Sequence, residues 1–380
     1  MQLTINDLTW FGRTLDHNGI RYFDFSASGF EFSFYGTKAE CKIISDSHLL
    51  GDEAKGVLGV YVSRPEDVKK SQNQKEIKNA YDKDLLYPQG FKKIVLENQE
   101  NNIILFESEK PQKVHIKVLR LSEAIYGYSG FVSAKLDGEL LSAEVISSSA
   151  EKTKAPLKLE FIGDSITCGY GIEGIYGKDT FTTKQERPDL AYAYLTAQAL
   201  GAEYQLVSRS GIGLISCYTD PLTVTLPNHA EPLMSQIWPY TDRYLSQRLG
   251  IEPELWDENR FSHDIVIIHL GTNDTSWVRG LEDRRLSFVN LYEQMIEAVH
   301  RRSPKARILG CLGAMGQELC ASVEEAFERF GKTFPSVQTK VVKFPVQDEN
   351  VDGVATDWHP NTITHKKIAE ILTREIENWK

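Results

Sequence analysis

Residues 157–165, Leu-Lys-Leu-Glu-Phe-Ile-Gly-Asp-Ser, decide how the second half of this chain folds. Apolar residues continue up to Ile162, and the Gly-Asp-Ser that follows is typical of a sharp turn rather than of a continuing strand. An apolar strand that ends in this way predicts the carboxyl edge of a parallel sheet. Ser165 would then lie where open α/β sheets bind their ligands.

After this strand, strands and helices alternate along the chain. The alternation predicts βαβ units, a mostly parallel sheet and helices on both of its faces. The fold class is therefore α/β, with three layers (α/β/α) over residues 157–380. Strands are predicted at 157–162, 204–207, 265–270, 308–312 and 341–342, and helices at 190–200, 288–302, 323–330 and 362–379.

The first 146 residues have a different pattern, in which apolar and polar residues alternate. Residues 30–34 (Phe-Glu-Phe-Ser-Phe) and 114–118 (Val-His-Ile-Lys-Val) are clear examples. This period of two, with turns expected at Gly36 and Asp137-Gly138, predicts a β-sandwich or jelly-roll-like domain.

Two polar stretches, residues 147–156 and 63–83, lack the pattern of a strand or a helix. Residues 147–156 are small and polar and end at Pro156, which predicts a linker between the β domain (1–146) and the α/β domain (157–380). Residues 63–83 predict a long loop.

Composition excludes several classes of protein. Of 380 residues, 41% are hydrophobic, and the net charge is −10, so no basic stripe is available for a nucleic acid. No apolar run approaches the ~20 residues that a membrane helix needs. The first residues show no secretory signal, so a cytoplasmic protein is expected if Met1 is the native start, and a secreted one only if a signal was removed. The cysteines lack metal-ligand spacing and are expected to be buried free thiols: Cys41, Cys168, Cys217, Cys311 and Cys320.

Ser165 is a candidate nucleophile. A helix that begins near Ile166 would direct its free N–H groups toward the serine and favour negative charge there. Asp164 and Ser165 could instead serve only as helix caps.

A second segment, Asp357-Trp358-His359-Pro360, precedes the last predicted helix. A short loop could bring the Asp357 carboxylate onto one ring nitrogen of His359 while the other nitrogen faces Ser165. The alternative is a capped helix entrance in which His359 is incidental.

A third segment, Gly271-Thr272-Asn273-Asp274, follows an apolar strand. Asn273 could donate its amide to an oxyanion, and Asp274 is expected to cap the turn or the next helix. Gly211 follows another predicted strand and could present its N–H as a further donor. A nucleophile, a base with an orienting group, and oxyanion donors are the parts that acyl transfer needs.

These blocks, in this order, resemble the SGNH, or GDSL-type, hydrolases. Residues 163–171, Gly-Asp-Ser-Ile-Thr-Cys-Gly-Tyr-Gly, resemble carbohydrate esterase family 2 in particular, as does a β domain ahead of the α/β domain. The resemblance implies a serine esterase that removes acetyl groups from acetylated sugars or xylan-type oligosaccharides, without metal or cofactor. Some family members hold the histidine through a backbone carbonyl, but Asp357 makes a full triad available here.

The resemblance also implies roles for individual residues. Ser165 would be the nucleophile, His359 the base and Asp357 the acid, with oxyanion donors from the N–H groups of Ser165 and Gly211 and the Asn273 amide. Stacking aromatics are expected near the sugar: Trp358 first, then Tyr218 and Trp277. Because the base must be neutral, kcat/KM should rise through a pKa of ~6–7.

Four alternatives remain. The first is nucleotide binding. Residues 169–174 match G-x-G-x-x-G, the fingerprint of dinucleotide-binding proteins, but that motif should open directly from a strand and here it does not. The second is a metal-dependent deacetylase, which would need clustered histidine and aspartate ligands. The histidines do not form such a cluster in the sequence: they are His263, His269, His359 and His365. His365 is expected on the outward side of the last helix. The chain could also be a non-catalytic carbohydrate-binding protein, or an esterase for a non-sugar ester. The exposed sheet faces make a homo-oligomer conceivable.

Overall fold

The computed structural model describes residues 1–64, 80–141, 155–219 and 225–379. The chain divides into two compact units, one of Met1–Ala155 with Phe181–Glu186, the other of Pro156–Thr180 with Arg187–Lys380. Most of the predicted linker (147–156) and of the predicted loop (63–83) lies outside the described residues, as does the predicted boundary at residue 146.

The described residues of the first unit form one antiparallel sheet of nine strands. The order is β3-β4-β9-β5-β8-β6-β7, with β1 on β9 and β2 on β5, and a one-turn helix, α1 (Lys83–Leu86), precedes β7. The strands are β1 (Gln2–Leu3), β2 (Thr9–Phe11), β3 (Leu15–His17), β4 (Ile20–Tyr22), β5 (Gly29–Ile44), β6 (Val57–Ser63), β7 (Phe91–Val95), β8 (Glu100–Arg120) and β9 (Gly130–Leu141).

Strands β5 and β8 are much longer than their sequence pattern indicated. The turn expected at Gly36 was wrong, because β5 continues through it with a shift in register between Gly36 and Lys38. The turn expected at Asp137-Gly138 was also wrong, since β9 continues through it. Glycine inside a strand often marks such a bulge. The alternating face is buried as predicted, with Phe30 and Phe34 fully inaccessible.

The described residues of the second unit contain a parallel sheet of five strands in the order β11-β10-β12-β13-β14. The strands are β10 (Lys158–Gly163), β11 (Glu203–Ser208), β12 (Ile265–His269), β13 (Arg307–Ala314) and β14 (Thr339–Val346). The helices are α2 (Ser165–Cys168), α3 (Tyr192–Ala199), α4 (Met234–Ile237), α5 (Arg243–Leu249), α6 (Thr272–Val278), α7 (Glu282–Arg302), α8 (Cys320–Thr333) and α9 (Thr362–Glu377).

Helices cover both faces of this sheet, which confirms the predicted three layers. On one face, Tyr192 of α3 packs edge-on against Phe161 and His269, and α3 packs against α9. On the other face, Tyr292 of α7 donates to the Ile268 carbonyl, and α7 packs against α8. Burial on both sides explains why the central strand β12 is continuously apolar from Ile265 to Ile268.

The strand order places a crevice at the carboxyl ends of β10 and β12. From β10 the chain adds β11 on one side and then β12 on the other, which makes this point a topological switch. In the register of these strands, Gly163 lies level with Ser208 and with His269. The segments that leave the three strands therefore meet at one edge.

Some features of this unit were not predicted. Helices α4, α5 and α6 had no sequence prediction, and α7 begins at Glu282 rather than near Phe288. All five cysteines are buried free thiols, as predicted. Within the described ranges, no helix is both long and apolar enough to cross a membrane.

Candidate active site

Ser165 is the first residue of α2 and lies two residues beyond β10. The cap of this helix is Asp164, whose Oδ1 accepts a hydrogen bond from the Ile166 N–H at 3.0 Å. Because Asp164 supplies the cap, the Ser165 hydroxyl is not needed for it. Ser165 is 5% exposed.

His359 meets Ser165 as predicted. The His359 Nε2 lies 2.8 Å from the Ser165 Oγ, across 194 residues of sequence. His359 belongs to the histidine loop, residues 355–360, which contains a 3-10 turn (Thr356–Trp358) and leads into α9. Asn361 caps α9 through the N–H groups of Ile363 and Thr364, so the helix cap does not involve His359.

The Asp357 carboxylate does not orient His359, which corrects the predicted triad. Its Oδ2 accepts a hydrogen bond from the Tyr170 hydroxyl at 2.8 Å. The His359 Nδ1 lies instead 3.1 Å from the backbone oxygen of Asp357 and 3.2 Å from that of Thr356. The imidazole is therefore held by two main-chain carbonyls, and Asp357 contributes to the site through its backbone.

The backbone conformation of residues 357 and 358 explains why the Asp357 carboxylate does not contact His359. Asp357 (φ 52, ψ 37) and Trp358 (φ 61) are both in the left-handed region. Such a conformation costs a residue with a side chain roughly 1–3 kcal/mol, so it persists only where the surroundings impose it. In this turn the Thr356 and Asp357 carbonyls lie at the Nδ1 of His359, while the Asp357 side chain is bonded to Tyr170 instead.

These contacts define which ring nitrogen of His359, the predicted base, carries the proton. A neutral imidazole with its proton on Nδ1 donates to the two carbonyls and leaves Nε2 to accept the Ser165 hydroxyl proton. Burial lowers the pKa of His359 to about 4, although the two carbonyls and the charge of Asp357 favour protonation. Desolvation of the imidazolium thus outweighs its stabilising partners, and the ring stays neutral well below pH 7.

Two of the predicted oxyanion donors are the backbone N–H groups of Ser165 and Gly211. In the part of the chain that the structure describes, neither the Ser165 N–H nor the Gly211 N–H donates to another protein group. Gly211 has a φ of 75°, a conformation that favours glycine. It begins the oxyanion loop, residues 211–216, which follows β11.

Asn273 lies between this loop and the serine turn, residues 163–170. Its Nδ2 donates to the Ile212 carbonyl at 2.8 Å and is 3.5 Å from the Asp164 Oδ2. One amide hydrogen is therefore committed to the oxyanion loop. The second makes only a long contact, which a stronger acceptor such as an oxyanion can replace.

Asp274 has a role that the sequence did not reveal. Its carboxylate accepts hydrogen bonds from the N–H groups of Leu214, Ile215 and Ser216, with the shortest, to Ile215, at 2.7 Å. Asp274 is completely buried, and burial raises its pKa to about 6 while these N–H bonds oppose the rise. It therefore fixes the oxyanion loop rather than only capping a turn.

Tyr170 was also missed as a site residue. Its ring lies on the His359 imidazole, with centroids 4.3 Å apart and planes tilted by 36°. The sequence signal for Tyr170 is its position in residues 163–171, the string that resembles carbohydrate esterase family 2 and overlaps the glycine motif at residues 169–174. The fingerprint does not open from the strand, because α2 comes between β10 and Gly169.

The three predicted substrate aromatics differ in their surroundings. Tyr218 is 58% exposed, and its neighbour Thr219 is tied to Ser276 by a 3.0 Å hydrogen bond. Trp277 is half-buried, with the Arg284 guanidinium 4.6 Å from its ring centroid, so one face of the indole is covered. Trp358 is half-buried beside His359, and its Nε1 donates to Glu349 at 3.2 Å.

Of the other three histidines named from the sequence, His269 and His365 both contact Tyr192. His263 precedes β12 and contacts Gln205 and Ser303, whereas His269 ends that strand. His365 is buried, not outward-facing as expected, and its Nδ1 accepts from the Tyr192 N–H. Among the residues that the structure describes, no group of three or more histidine, cysteine or acidic side chains could hold a metal ion.

This chain belongs to the GDSL-like lipase/acylhydrolase family, whose family model matches residues 161–367. The cellulase/esterase CelE of Acetivibrio thermocellus is 35% identical over 271 residues, which cover 70% of this chain but only 30% of CelE. An acetylxylan esterase / glucomannan deacetylase of Cellvibrio japonicus is 27% identical over 75% of this chain and 74% of its own length.

Solved structures confirm the fold class, an antiparallel jelly-roll-like domain with an SGNH-type α/β domain. A family two carbohydrate esterase from Clostridium thermocellum, solved with cellohexaose, is 29% identical, with a TM-score of 0.76 over 98% of both chains. An acetyl xylan esterase from the rumen bacterium Butyrivibrio proteoclasticus has a TM-score of 0.79 over 99% of this chain and 96% of its own, at 19% identity.

The pKa of His359 predicts the acid limb of the pH profile. The base must be neutral, and its pKa is lowered to about 4, so kcat/KM for 4-nitrophenyl acetate should stay level down to about pH 5.5 and fall below that. This replaces the rise through ~6–7 expected from an ordinary imidazole. Circular dichroism at each pH controls for unfolding, and a limb centred near pH 6.5 in folded enzyme would contradict the prediction.

Asp274→Asn should disturb the oxyanion loop. The amide presents N–H donors where the loop already directs three N–H groups, so kcat should fall roughly 10- to 100-fold and the protein should lose stability. Steady-state kinetics and thermal unfolding measure both effects. Asp264→Asn is a matched control, because Asp264 accepts the Lys158 N–H at the opposite end of β10. An equal loss of kcat in both variants would refute a role for the loop.

Proposed function

We propose that this protein is a serine carboxylic-ester hydrolase that removes O-acetyl groups from carbohydrates. The observation that carries the proposal is the 2.8 Å contact between His359 Nε2 and Ser165 Oγ, at the carboxyl edge of the parallel sheet. Membership of an acylhydrolase family and the names of the relatives, an acetylxylan esterase / glucomannan deacetylase among them, support it.

In the first half of the reaction, the Ser165 Oγ attacks the acetyl carbonyl while His359 takes the hydroxyl proton. The N–H groups of Ser165 and Gly211 and the Asn273 amide donate to the oxyanion of the tetrahedral intermediate. When this intermediate collapses, its bond to the sugar oxygen breaks and His359 returns the proton to that oxygen. The product is a deacetylated sugar and an acetyl group on Ser165.

In the second half, water attacks the acetyl group with His359 again as base, and acetate leaves as Ser165 recovers its proton. The imidazolium that forms in both halves donates from Nδ1 to the Thr356 and Asp357 carbonyls. The proposed catalytic pair is therefore Ser165 and His359, oriented by main-chain dipoles. Asp357 remains close enough for its charge to favour the imidazolium.

A carbohydrate is proposed as the substrate because aromatic side chains accompany the site. Tyr218 has an exposed ring on the segment that leaves the oxyanion loop, and Trp358 adjoins the base. Aromatic rings offer apolar faces on which a sugar can stack. Acetylated mono- or oligosaccharides, including xylan-type ones, are the proposed partners, and no step of the mechanism requires a cofactor.

Ser165→Ala should abolish turnover of acetylated xylo-oligosaccharides and of 4-nitrophenyl acetate, since removing the nucleophile of such a site typically costs about 10⁶-fold in kcat. Acetate release and NMR of the sugar acetyl groups measure it, and circular dichroism checks the fold. Turnover within a few-fold of the unaltered protein would remove Ser165 from the mechanism. Wild-type protein that binds the saccharides but releases no acetate would identify a non-catalytic binding protein instead.

Tyr218→Ala should raise KM for acetylated oligosaccharides roughly three- to tenfold, because a stacking surface is lost. It should leave KM for 4-nitrophenyl acetate unchanged, since that ester has no sugar. Parallel kinetics on the two substrates measure the difference. Equal effects on both would argue for an esterase whose natural substrate is not a sugar.

A further inference from the structure

We propose that Tyr170 is a positioning residue that holds the histidine loop in its catalytic conformation, with the ring and the hydroxyl acting on different atoms. The proposal rests on the proposed function, because it assigns Tyr170 to the deprotonation of Ser165 by His359. It concerns a side chain that does not itself touch the reacting atoms.

Tyr170 belongs to the serine turn and is hydrogen-bonded to Ser165 through the backbone. Its N–H donates to the Ser165 carbonyl at 3.1 Å, so the segment that carries the nucleophile also carries this side chain. The next residue, Gly171, approaches the histidine loop so closely that a Cβ there would lie 2.8 Å from the Thr356 Cβ. The two segments are therefore in direct contact at Gly171 as well as at Ser165, where the hydroxyl meets His359.

The ring limits the movement of the base. It covers one face of the His359 imidazole at a centroid distance of 4.3 Å. With Nε2 on Ser165 and Nδ1 on two carbonyls, this third contact opposes rotation of the imidazole out of line. An aromatic face also stabilises a cation, which His359 becomes during the reaction.

The hydroxyl acts on the loop backbone. It donates to the Asp357 Oδ2 at 2.8 Å, a hydrogen bond to a charged acceptor and hence a strong one. Asp357 is one of two consecutive residues in the left-handed region, a conformation that the surroundings must impose. That conformation places the Asp357 carbonyl 3.1 Å from Nδ1. Through its hydrogen bond to the Asp357 carboxylate, Tyr170 therefore stabilises the position of the Asp357 carbonyl beside Nδ1 of His359.

The charged and titratable groups around this contact belong to several segments. The Asp357 carboxylate and the imidazole of His359 come from the histidine loop, and the Tyr170 phenol from the serine turn. The His365 imidazole on α9 also interacts electrostatically with His359. Because several groups titrate here, the test relies on kcat, KM and pairwise coupling rather than on a pH profile.

The experiment is a double-mutant cycle with Tyr170→Phe, Asp357→Asn and the double variant, measured on 4-nitrophenyl acetate. Tyr170→Phe keeps the ring and Asp357→Asn keeps the size of the side chain, so each removes mainly the charged hydrogen bond. Each should lower kcat roughly tenfold with KM within twofold, and the double variant should be no worse than the poorer single variant.

Two further variants separate the ring from the hydroxyl and from general stability. Tyr170→Leu removes both contacts and should lower kcat by roughly a further tenfold relative to Tyr170→Phe. Tyr176→Phe, at a tyrosine of the same segment that is 47% exposed, is the matched control and should match the unaltered protein.

Several outcomes would overturn the proposal. One is a Tyr170→Phe kcat within twofold of the unaltered protein, and another is losses that multiply in the double variant. A loss above about 1,000-fold in Asp357→Asn alone would mean that the carboxylate acts directly on His359. Turnover that survives Ser165→Ala in the same assay would refute the proposed function itself, which keeps the two failures distinguishable.

Discussion

The 2.8 Å hydrogen bond between His359 and Ser165 depends on the parallel sheet that brings their segments together. Gly163, Ser208 and His269 end three adjacent strands at one level, so the serine turn, the oxyanion loop and the start of α6 share one edge. The histidine loop reaches the same edge ahead of α9.

Main-chain groups take part in most of the hydrogen bonds that hold this site. Three N–H groups of the oxyanion loop bind Asp274, and two carbonyls bind the His359 ring. Burial raises the pKa of Asp164 to about 7 and that of Asp274 to about 6, and the charge of Asp274 adds to the rise at Asp164. Backbone dipoles in a dry environment orient groups without the reorganisation that water would need.

The sequence predicted those features that depend on local pattern. Apolar runs that stop at Gly163 and His269 located two strand ends, and the family motif located Ser165, His359, Gly211 and Asn273. The orientation of Asp357 could not be predicted, because it depends on two consecutive left-handed residues and on a hydrogen bond from Tyr170, more than 180 residues away. The role of Asp274 likewise depends on where a distant loop places its N–H groups. Short helices such as α4 and α5 have too few residues for a helical period to be recognised.

The buried histidines His269 and His365 make the stability of the folded chain depend on pH. Burial lowers the pKa of His269 and of His365 to about 3, well below the ordinary 6.5. In the unfolded chain both would take up protons below about pH 6.5, whereas the folded chain resists doing so. Above that pH both groups are neutral in either state and their titration does not affect stability. As the medium is acidified toward pH 3, proton uptake by the unfolded chain increasingly disfavours the native state. The imidazoles packed against Tyr192 thereby set a limit on the environments in which this fold can persist.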